Sequence, residues 1–301
     1  MSDPIRRQAR VAAGVISYLE WEAPAGAPVV VFSHANGLNA STYKTLLQPL
    51  GGEFRILAWD MRGHGLTDLP TDPRLLPGWR IYRDDLLGFL DALKLQPAVL
   101  AGHSLGASTT ILAAAERQGI AQALVLAEPV MVPNRMALKA AFARWIGRSA
   151  RAIPLTAMAL KRRNRFGSRE EAVKNFTGRG AFKTWPVEAI ANYVETGVVP
   201  EGDAFRLSCA PQWEAASFAV YPFAIDRMGS RIRQPITALL GTVNSSADPD
   251  VFASFLRRHR NTRVVRIEGA THFLPMEHGE EFRAEIRRAA GVPHPSGVAA
   301  P

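Results

Sequence analysis

The pentapeptide Gly102–Gly106 contains a serine between two glycines, Gly-His-Ser-Leu-Gly. The apolar run Ala98–Ala101 precedes it and is typical of a buried strand, and Ala107–Ala115 follows it and predicts a helix. A serine at such a strand-to-helix turn sits on a tight, strained backbone with its hydroxyl projecting from the sheet edge. Because the glycines have no side chain, strand and helix can approach each other closely. The pattern predicts that Ser104 is a nucleophile.

A serine hydroxyl needs a base to accept its proton during attack. His272 follows the last predicted strand, Arg263–Ile267, and a predicted helix begins soon after it. A loop at that point would lie over the turn that carries Ser104. We therefore predict that His272 is the base.

A carboxylate must hold the imidazole in the correct tautomer and stabilise its charged form. Two candidates remain open. Glu128 comes directly after the predicted strand Ala123–Ala127, so it leaves the sheet edge, and its length helps it reach the histidine. Asp248 lies in a later loop, immediately before Pro249, where it could equally cap a helix. We favour Glu128 and keep Asp248 as the alternative acid.

Attack on a carbonyl builds negative charge on its oxygen, which backbone N–H groups can stabilise. The N–H of Leu105 follows the nucleophile at a helix N-terminus and is predicted to be one donor. The second donor should come from the loop His34–Gly37, which follows the predicted strand Val29–Phe32.

Short apolar runs alternate with longer amphipathic stretches along most of the chain. This alternation predicts an α/β fold, with a mostly parallel sheet and helices on both faces. The predicted strands are Val29–Phe32, Phe54–Trp59, Ala98–Ala101, Ala123–Ala127, Ile236–Leu240 and Arg263–Ile267. The predicted helices are Ser41–Leu50, Tyr82–Leu93, Ala107–Ala115, Pro249–His259 and Glu277–Ala290.

Residues 130–234 break this rhythm, with helical patches and no clear strand alternation. We predict a helical cap inserted over the carboxyl ends of the strands, and a core domain made of residues 1–129 and 235–301. The last ten residues, 292–301, have the composition of a mobile tail. Six aromatic residues in or beside the cap could line an apolar pocket or form the core of the cap: Phe142, Trp145, Phe182, Trp185, Trp213 and Phe218.

Four motifs in this order resemble those of α/β-hydrolase fold enzymes with a helical cap: Ser33–Gly37, Asp60–Gly65, Gly102–Gly106 and Thr271–Phe273. The resemblance covers nearly the whole sheet domain. It implies that the second oxyanion donor is the N–H of Asn36, two residues past His34. The acid of many relatives would fall at Asn244, which carries no charge, so this chain departs from the commoner pattern.

The resemblance implies a carboxylic-ester hydrolase that forms an acyl-enzyme on Ser104 from a small ester, lactone or thioester. The same site also suits a cofactor-independent hydrolase or lyase acting on carbon–carbon bonds. A non-catalytic protein that binds a small ligand is a further alternative. The sequence contains neither a phosphate-binding loop nor metal-ligand spacing, so we expect no cofactor and no metal.

The charge is unevenly distributed. The chain has 301 residues and a formal net charge of +9, and Pro129–Arg169 contains ten Lys or Arg and no Asp or Glu. Such a block can attract nucleic acid or an acidic membrane surface, or it can be a solvated face of helices. We favour the solvated face. We expect no nucleic-acid partner, because exposed-looking aromatic residues are not interleaved with the basic ones as base stacking requires.

No apolar run approaches the about 18 residues of a membrane span. The first residues, Met1–Arg7, lack the apolar stretch of a secretory signal. The single cysteine, Cys209, excludes an internal disulfide and a cysteine-built zinc site. These features favour a cytoplasmic protein, and they do not indicate an oligomeric state.

Overall fold

Eight strands form one twisted sheet in the computed structural model, which describes residues 3–292. Their order is β1-β2-β4-β3-β5-β6-β10-β11, and all neighbours from β4 to β11 run parallel. The bounds are β1 (Ile5–Val11), β2 (Gly14–Trp21), β3 (Val29–Ser33), β4 (Arg55–Trp59), β5 (Val99–His103), β6 (Ala123–Ala127), β10 (Ile236–Gly241) and β11 (Thr262–Ile267).

Helices cover both faces of this sheet, so the predicted α/β class with a mostly parallel sheet is confirmed. The helices outside the insertion are α1 (Lys44–Leu47), α2 (Arg80–Ala92), α3 (Leu105–Glu116), α10 (Pro249–Arg258), α11 (Leu274–Glu277) and α12 (Gly279–Ala289). Short 3₁₀ turns at Ala40–Tyr43 and Gln48–Leu50 flank α1, where one continuous helix was predicted.

The central strands β5, β6 and β10 are buried along their whole length. They consist largely of Val, Leu and Ala, the composition expected of strands covered on both faces. Because they run parallel, their carboxyl ends meet at one edge. The residues that follow β5 and β6 are Ser104 and Glu128, so the topology brings these two side chains to the same edge.

The sequence analysis missed the first two strands. β1 pairs with β2 in an antiparallel hairpin, and β2 pairs antiparallel with β4. β1 carries three arginines and is mostly exposed or half-buried at the sheet edge. A strand of this kind lacks the continuous apolar run that identifies a central strand.

The inserted segment, residues 130–234, is not wholly helical as predicted. Besides six helices it contains a three-stranded antiparallel sheet in the order β7-β9-β8. The elements are α4 (Asn134–Trp145), α5 (Ser149–Ala152), α6 (Pro154–Leu160), β7 (Arg165–Phe166), α7 (Arg169–Phe176), α8 (Val187–Gly197), β8 (Val198–Glu201), β9 (Ala204–Leu207) and α9 (Pro211–Phe218).

The last part of the insertion lies against the core. A 3₁₀ segment, Ile225–Arg231, packs on α3 and α10. Strands of two to four residues, such as β7, are too short to show an alternating pattern in sequence, so the small sheet was missed. Residues 293–301 of the predicted tail lie outside the described residues.

Gly106 allows the helix that follows Ser104 to pack against β3. A Cβ atom added at Gly106 would lie 2.1 Å from the main-chain oxygen of Ser33 and 2.5 Å from that of His34. Backbone atoms cannot move aside as a flexible side chain can. The absence of a side chain at Gly106 is therefore a packing requirement of the turn.

We expect Gly106→Ala to lower the free energy of unfolding by about 3 kcal/mol or more, because the new methyl group overlaps the β3 backbone. Gly119→Ala is the matched control: Gly119 has φ +72° and nothing within 4 Å of its added Cβ. The control should lower the free energy of unfolding by only about 1–2 kcal/mol, the cost of a side chain on a left-handed backbone. Urea unfolding measures both, and equal losses would contradict the packing requirement.

Candidate active site

Ser104 occupies a strained turn between β5 and α3. Its φ of 55° and ψ of −117° lie in a region that residues with a side chain rarely adopt. Its N–H donates to the carbonyl of Ala127 at 3.0 Å, which ties the turn to the end of β6. The residue is buried, with 7% of its surface exposed.

The side chains of Ser104, His272 and Glu128 form a continuous hydrogen-bonded row. The Ser104 Oγ and His272 Nε2 atoms are 3.0 Å apart, so the hydroxyl can donate to the ring. On the other side, His272 Nδ1 and Glu128 Oε2 are 3.4 Å apart. The structure thus brings together the predicted nucleophile, the predicted base and the favoured acid.

The loop after β10 holds the Glu128 carboxylate. Oε1 accepts the N–H of Gly241 at 2.7 Å, and Oε2 accepts the N–H of Ser246 at 2.8 Å and the hydroxyl of Ser245 at 3.0 Å. Burial would raise the pKa of Glu128, but hydrogen bonds from His272, Ser246 and Gly241 outweigh it and lower that pKa below its usual value. The residue therefore remains an anion beside the imidazole.

The alternative acid has a different role. Asp248 is the N-cap of α10, and its side chain accepts the N–H groups of Asp250 and Val251, both at 3.1 Å. No hydrogen bond joins it to His272 within the described chain. Asn244 is exposed in the same loop with φ 54°.

The two predicted oxyanion donors are free to bind an external acceptor. Neither the N–H of Asn36 nor that of Leu105 donates to another residue in the range 3–292. The side chain of Asn36 is engaged elsewhere, because its Nδ2 donates to the main-chain oxygen of Glu214 at 3.1 Å. The backbone N–H of Asn36 therefore remains available.

Two buried histidines fix the loop that carries Asn36. His64 donates from Nδ1 to the carbonyl of Arg62 at 2.9 Å, so its Nε2 is the acceptor for the N–H of Gly37 at 2.9 Å. His34 likewise donates from Nδ1 to its neighbouring carbonyl, and its Nε2 accepts the N–H of Met61 at 2.9 Å. Both rings must be neutral to accept these bonds.

A third buried histidine links this loop to the base. The Tyr43 hydroxyl accepts the N–H of Ala35 at 3.1 Å and donates to His103 Nδ1 at 2.7 Å. The opposite nitrogen of His103 donates to the main-chain oxygen of His272 at 2.8 Å. This chain of hydrogen bonds connects the loop His34–Gly37, the turn that carries Ser104 and the backbone of His272.

The insertion contacts the loop that carries Asn36 through a partly buried ion pair. Arg162 donates to the Glu214 carboxylate and, at 2.6 Å, to the Tyr193 hydroxyl. A Cβ added at Gly37 would lie 2.6 Å from Glu214 Oε1, so the pair sits directly against the loop. Its cation is neutralised within the insertion.

Sequence reasoning missed the residues that support the site. Tyr43, Glu214 and Ser246 lie in no recognisable motif, and each makes a hydrogen bond to a site residue at least 60 positions away in the sequence. One sequence signal was present in the loop after β10. Two serines, Ser245 and Ser246, directly follow Asn244, the position of the commoner acid.

Comparisons with known proteins agree on the family. The model of the alpha/beta hydrolase family matches residues 30–285. A 2-(acetamidomethylene)succinate hydrolase of Mesorhizobium japonicum is 24% identical over 249 residues, covering 82% of each chain. A crystal structure of E-2-(acetamidomethylene)succinate hydrolase has a TM-score of 0.78 at 22% identity over 96% of this chain and 100% of that one.

A thioesterase domain from the curacin biosynthetic pathway also has a TM-score of 0.78, at 17% identity over 95% of this chain and 100% of that domain. Between residues 3 and 292, no helix is long and apolar enough to cross a membrane. In the same range, no group of three or more His, Cys, Asp or Glu could hold a metal ion.

The three buried histidines predict acid sensitivity of the fold. Burial lowers the pKa of His34 to about 4, that of His64 to about 3, and that of His103 well below 6.5. The unfolded chain therefore binds more protons than the folded one below pH about 6.5, and stability falls as pH falls. We expect the free energy of unfolding to fall by about 1 kcal/mol per histidine for each pH unit between about pH 6 and 4.5.

Urea unfolding at half-unit pH steps checks this slope. Glu128 does not contribute in that window, because the stability from its lowered pKa is fully present above its unfolded value of 4.5. A free energy of unfolding that stayed constant from pH 6.5 to 5 would show that these rings are not held neutral.

Proposed function

Because the chain belongs to the alpha/beta hydrolase family, we propose that it is a serine hydrolase that cleaves small carboxylic esters, lactones or thioesters. The observation that carries this proposal is the row of side chains from Glu128 through His272 to Ser104, with separations of 3.4 and 3.0 Å. A thioesterase domain among the structural neighbours is in keeping with acyl transfer on this fold.

In the first half of the proposed reaction, Ser104 Oγ attacks the substrate carbonyl carbon. His272 Nε2 accepts the hydroxyl proton as the new C–O bond forms. Glu128, an anion at neutral pH, accepts from Nδ1 and stabilises the positive charge on the ring. The protonated ring then gives its proton to the departing alcohol or thiol, which leaves an acyl group on the serine.

Negative charge on the carbonyl oxygen is stabilised by the N–H groups of Leu105 and Asn36. Leu105 begins α3, so the positive end of the helix dipole adds to its donor. The Asn36 donor is held by the His64 bond to Gly37 and by the Glu214 contact. Each fixed donor of this kind lowers the free energy of the transition state by about 3 kcal/mol.

In the second half, water replaces the leaving group. His272 accepts a proton from the water as its oxygen attacks the acyl carbon, and then returns that proton to Ser104 Oγ. One water is consumed, and the products are a carboxylic acid and an alcohol or thiol.

A fluorophosphonate probe should label Ser104 covalently in the folded protein. The reagent requires an activated serine, so labelling should disappear in Ser104→Ala and after denaturation. Mass spectrometry of the labelled peptide identifies the site. Absence of labelling in folded wild-type protein would contradict the proposed chemistry.

Labelling alone does not distinguish ester hydrolysis from the reaction of a lyase that uses the same residues. Product analysis in ¹⁸O-labelled water, with a panel of acyl esters, thioesters and lactones, separates them. An ester hydrolase incorporates one labelled oxygen into an acid product. Formation of an aldehyde or ketone without uptake of water would instead identify a lyase.

We expect Glu128→Gln to lower kcat on the best ester of that panel by about 10⁴-fold, because the amide cannot hold the tautomer or stabilise the charged ring. Asp248→Asn is the matched control. It should leave kcat within about threefold, since the asparagine still caps α10 at nearly the same stability. Steady-state kinetics on variants with native circular dichroism decide, and the reverse ranking would make Asp248 the acid.

A further inference from the structure

Large apolar side chains are exposed in one part of the insertion. Fourteen such residues are exposed among residues 3–292, and eight of them fall between Asn134 and Leu160. The eight are Met136, Leu138, Phe142, Trp145, Ile146, Leu155, Met158 and Leu160. Soluble proteins rarely concentrate exposed apolar groups in this way without a partner. We call the exposed side of residues 134–160 the cap face.

Helix α4 forms the centre of the cap face. Leu138, Phe142 and Trp145 are spaced by four and three residues, so they lie on one side of the helix. Trp145 is 80% exposed and its ring centroid lies 5.8 Å from that of Phe142. The opposite side of α4 is buried and consists of alanines: Ala137, Ala140 and Ala143. The larger apolar groups therefore face outward, the reverse of an ordinary surface helix.

The cations of the cap face have no acidic neighbours in sequence and no carboxylate partners. Within the range that the structure describes, none of its five Lys or Arg side chains forms an ion pair. They are Arg135, Lys139, Arg144, Arg148 and Arg151. Arg144 instead donates to three main-chain carbonyls. The cap face therefore carries an uncompensated positive charge.

We propose that the cap face docks on a lipid bilayer surface that contains anionic headgroups. Trp145, Phe142 and Leu138 would enter the boundary between headgroups and acyl chains, where amphipathic helices bury their apolar side. The surrounding arginines and Lys139 would pair with lipid phosphates. Exposed cations and exposed apolar groups occur together along α4, and this combination matches the chemistry of such a surface on both counts.

Other occupants fit the cap face less well. A second copy using the same face would bring four exposed cations against the same four, Arg135, Lys139, Arg148 and Arg151. Nucleic acid would satisfy the charge, but it offers nothing to exposed Leu138, Met158 and Leu160, since base stacking uses aromatic rings. An anionic bilayer accommodates the cations, the aromatic rings and the aliphatic groups together.

Phe142 and Trp145 were expected to line a pocket or to form the core of the cap. They are 56% and 80% exposed, so neither belongs to that core. Trp185 and Trp213 are buried, as core residues are. Arg135 and Lys139 of the basic block are exposed, as a solvated face requires, and exposed apolar side chains lie beside them.

Binding to vesicles tests the proposal on the full chain. Co-sedimentation with phosphatidylcholine vesicles is compared with vesicles that contain phosphatidylglycerol as well. We expect at least about tenfold tighter binding to the anionic vesicles, weakening as salt is raised. Equal binding to both lipids, or binding to neither, would overturn the proposal. The assay does not depend on the proposed hydrolase activity.

Two variants and two matched controls separate the apolar and the electrostatic contributions. L138S/F142S/W145S removes the apolar centre, and L66S/L75S/V187S removes three exposed apolar side chains elsewhere. R135E/K139E/R148E reverses charge on the cap face, and R10E/K94E/R260E makes the same change in net charge elsewhere.

We expect each cap-face variant to weaken binding to anionic vesicles at least tenfold and each control to stay within twofold. Native circular dichroism and an unchanged urea midpoint confirm that the variants are folded. Equal effects of a variant and its control would overturn the proposal. So would a wild-type dimer in sedimentation velocity that the serine variant abolishes, or tighter binding to duplex RNA or DNA than to the vesicles, since either identifies a different occupant.

Discussion

The imidazole of His272 must reach two side chains that lie 144 and 168 residues away in the chain, and the rest of the site is organised around this requirement. Parallel strands β5 and β6 bring Ser104 and Glu128 to one sheet edge. The backbone of His272 is tied to the same edge through His103 and Tyr43. A shift of one of these loops would therefore disturb hydrogen bonds in the other two.

The histidines that hold the site loops are kept uncharged by their burial. His34, His64 and His103 can accept their hydrogen bonds only as neutral rings, and burial lowers each pKa so that they stay neutral. Glu128 is buried too, but several donors keep it charged. The site thus places one stable anion next to an imidazole and surrounds both with fixed, uncharged groups, an arrangement that suits stabilisation of a positive charge that forms during reaction.

The elements that position the site were largely predictable, because each signal was local. Largely apolar runs identified six of the eight strands of the main sheet, and the order of strands and helices implied parallel pairing. The edge strand β1, with its three arginines, and the two-residue strand β7 lacked such a signal. Their formation depends on the neighbours with which they pair, which local sequence does not reveal.

The sequence by itself determined which groups could react: a serine in a glycine-flanked turn, a histidine after the last strand, and two carboxylates, one at a strand end and one in a loop before a helix. Only the tertiary structure distinguished Glu128, which lies beside the imidazole, from Asp248, which caps a helix. It also decided that Trp145 faces solvent, while Trp213 is buried. Residue type and spacing specify chemistry and local conformation, whereas burial and contact arise from residues far apart in the chain.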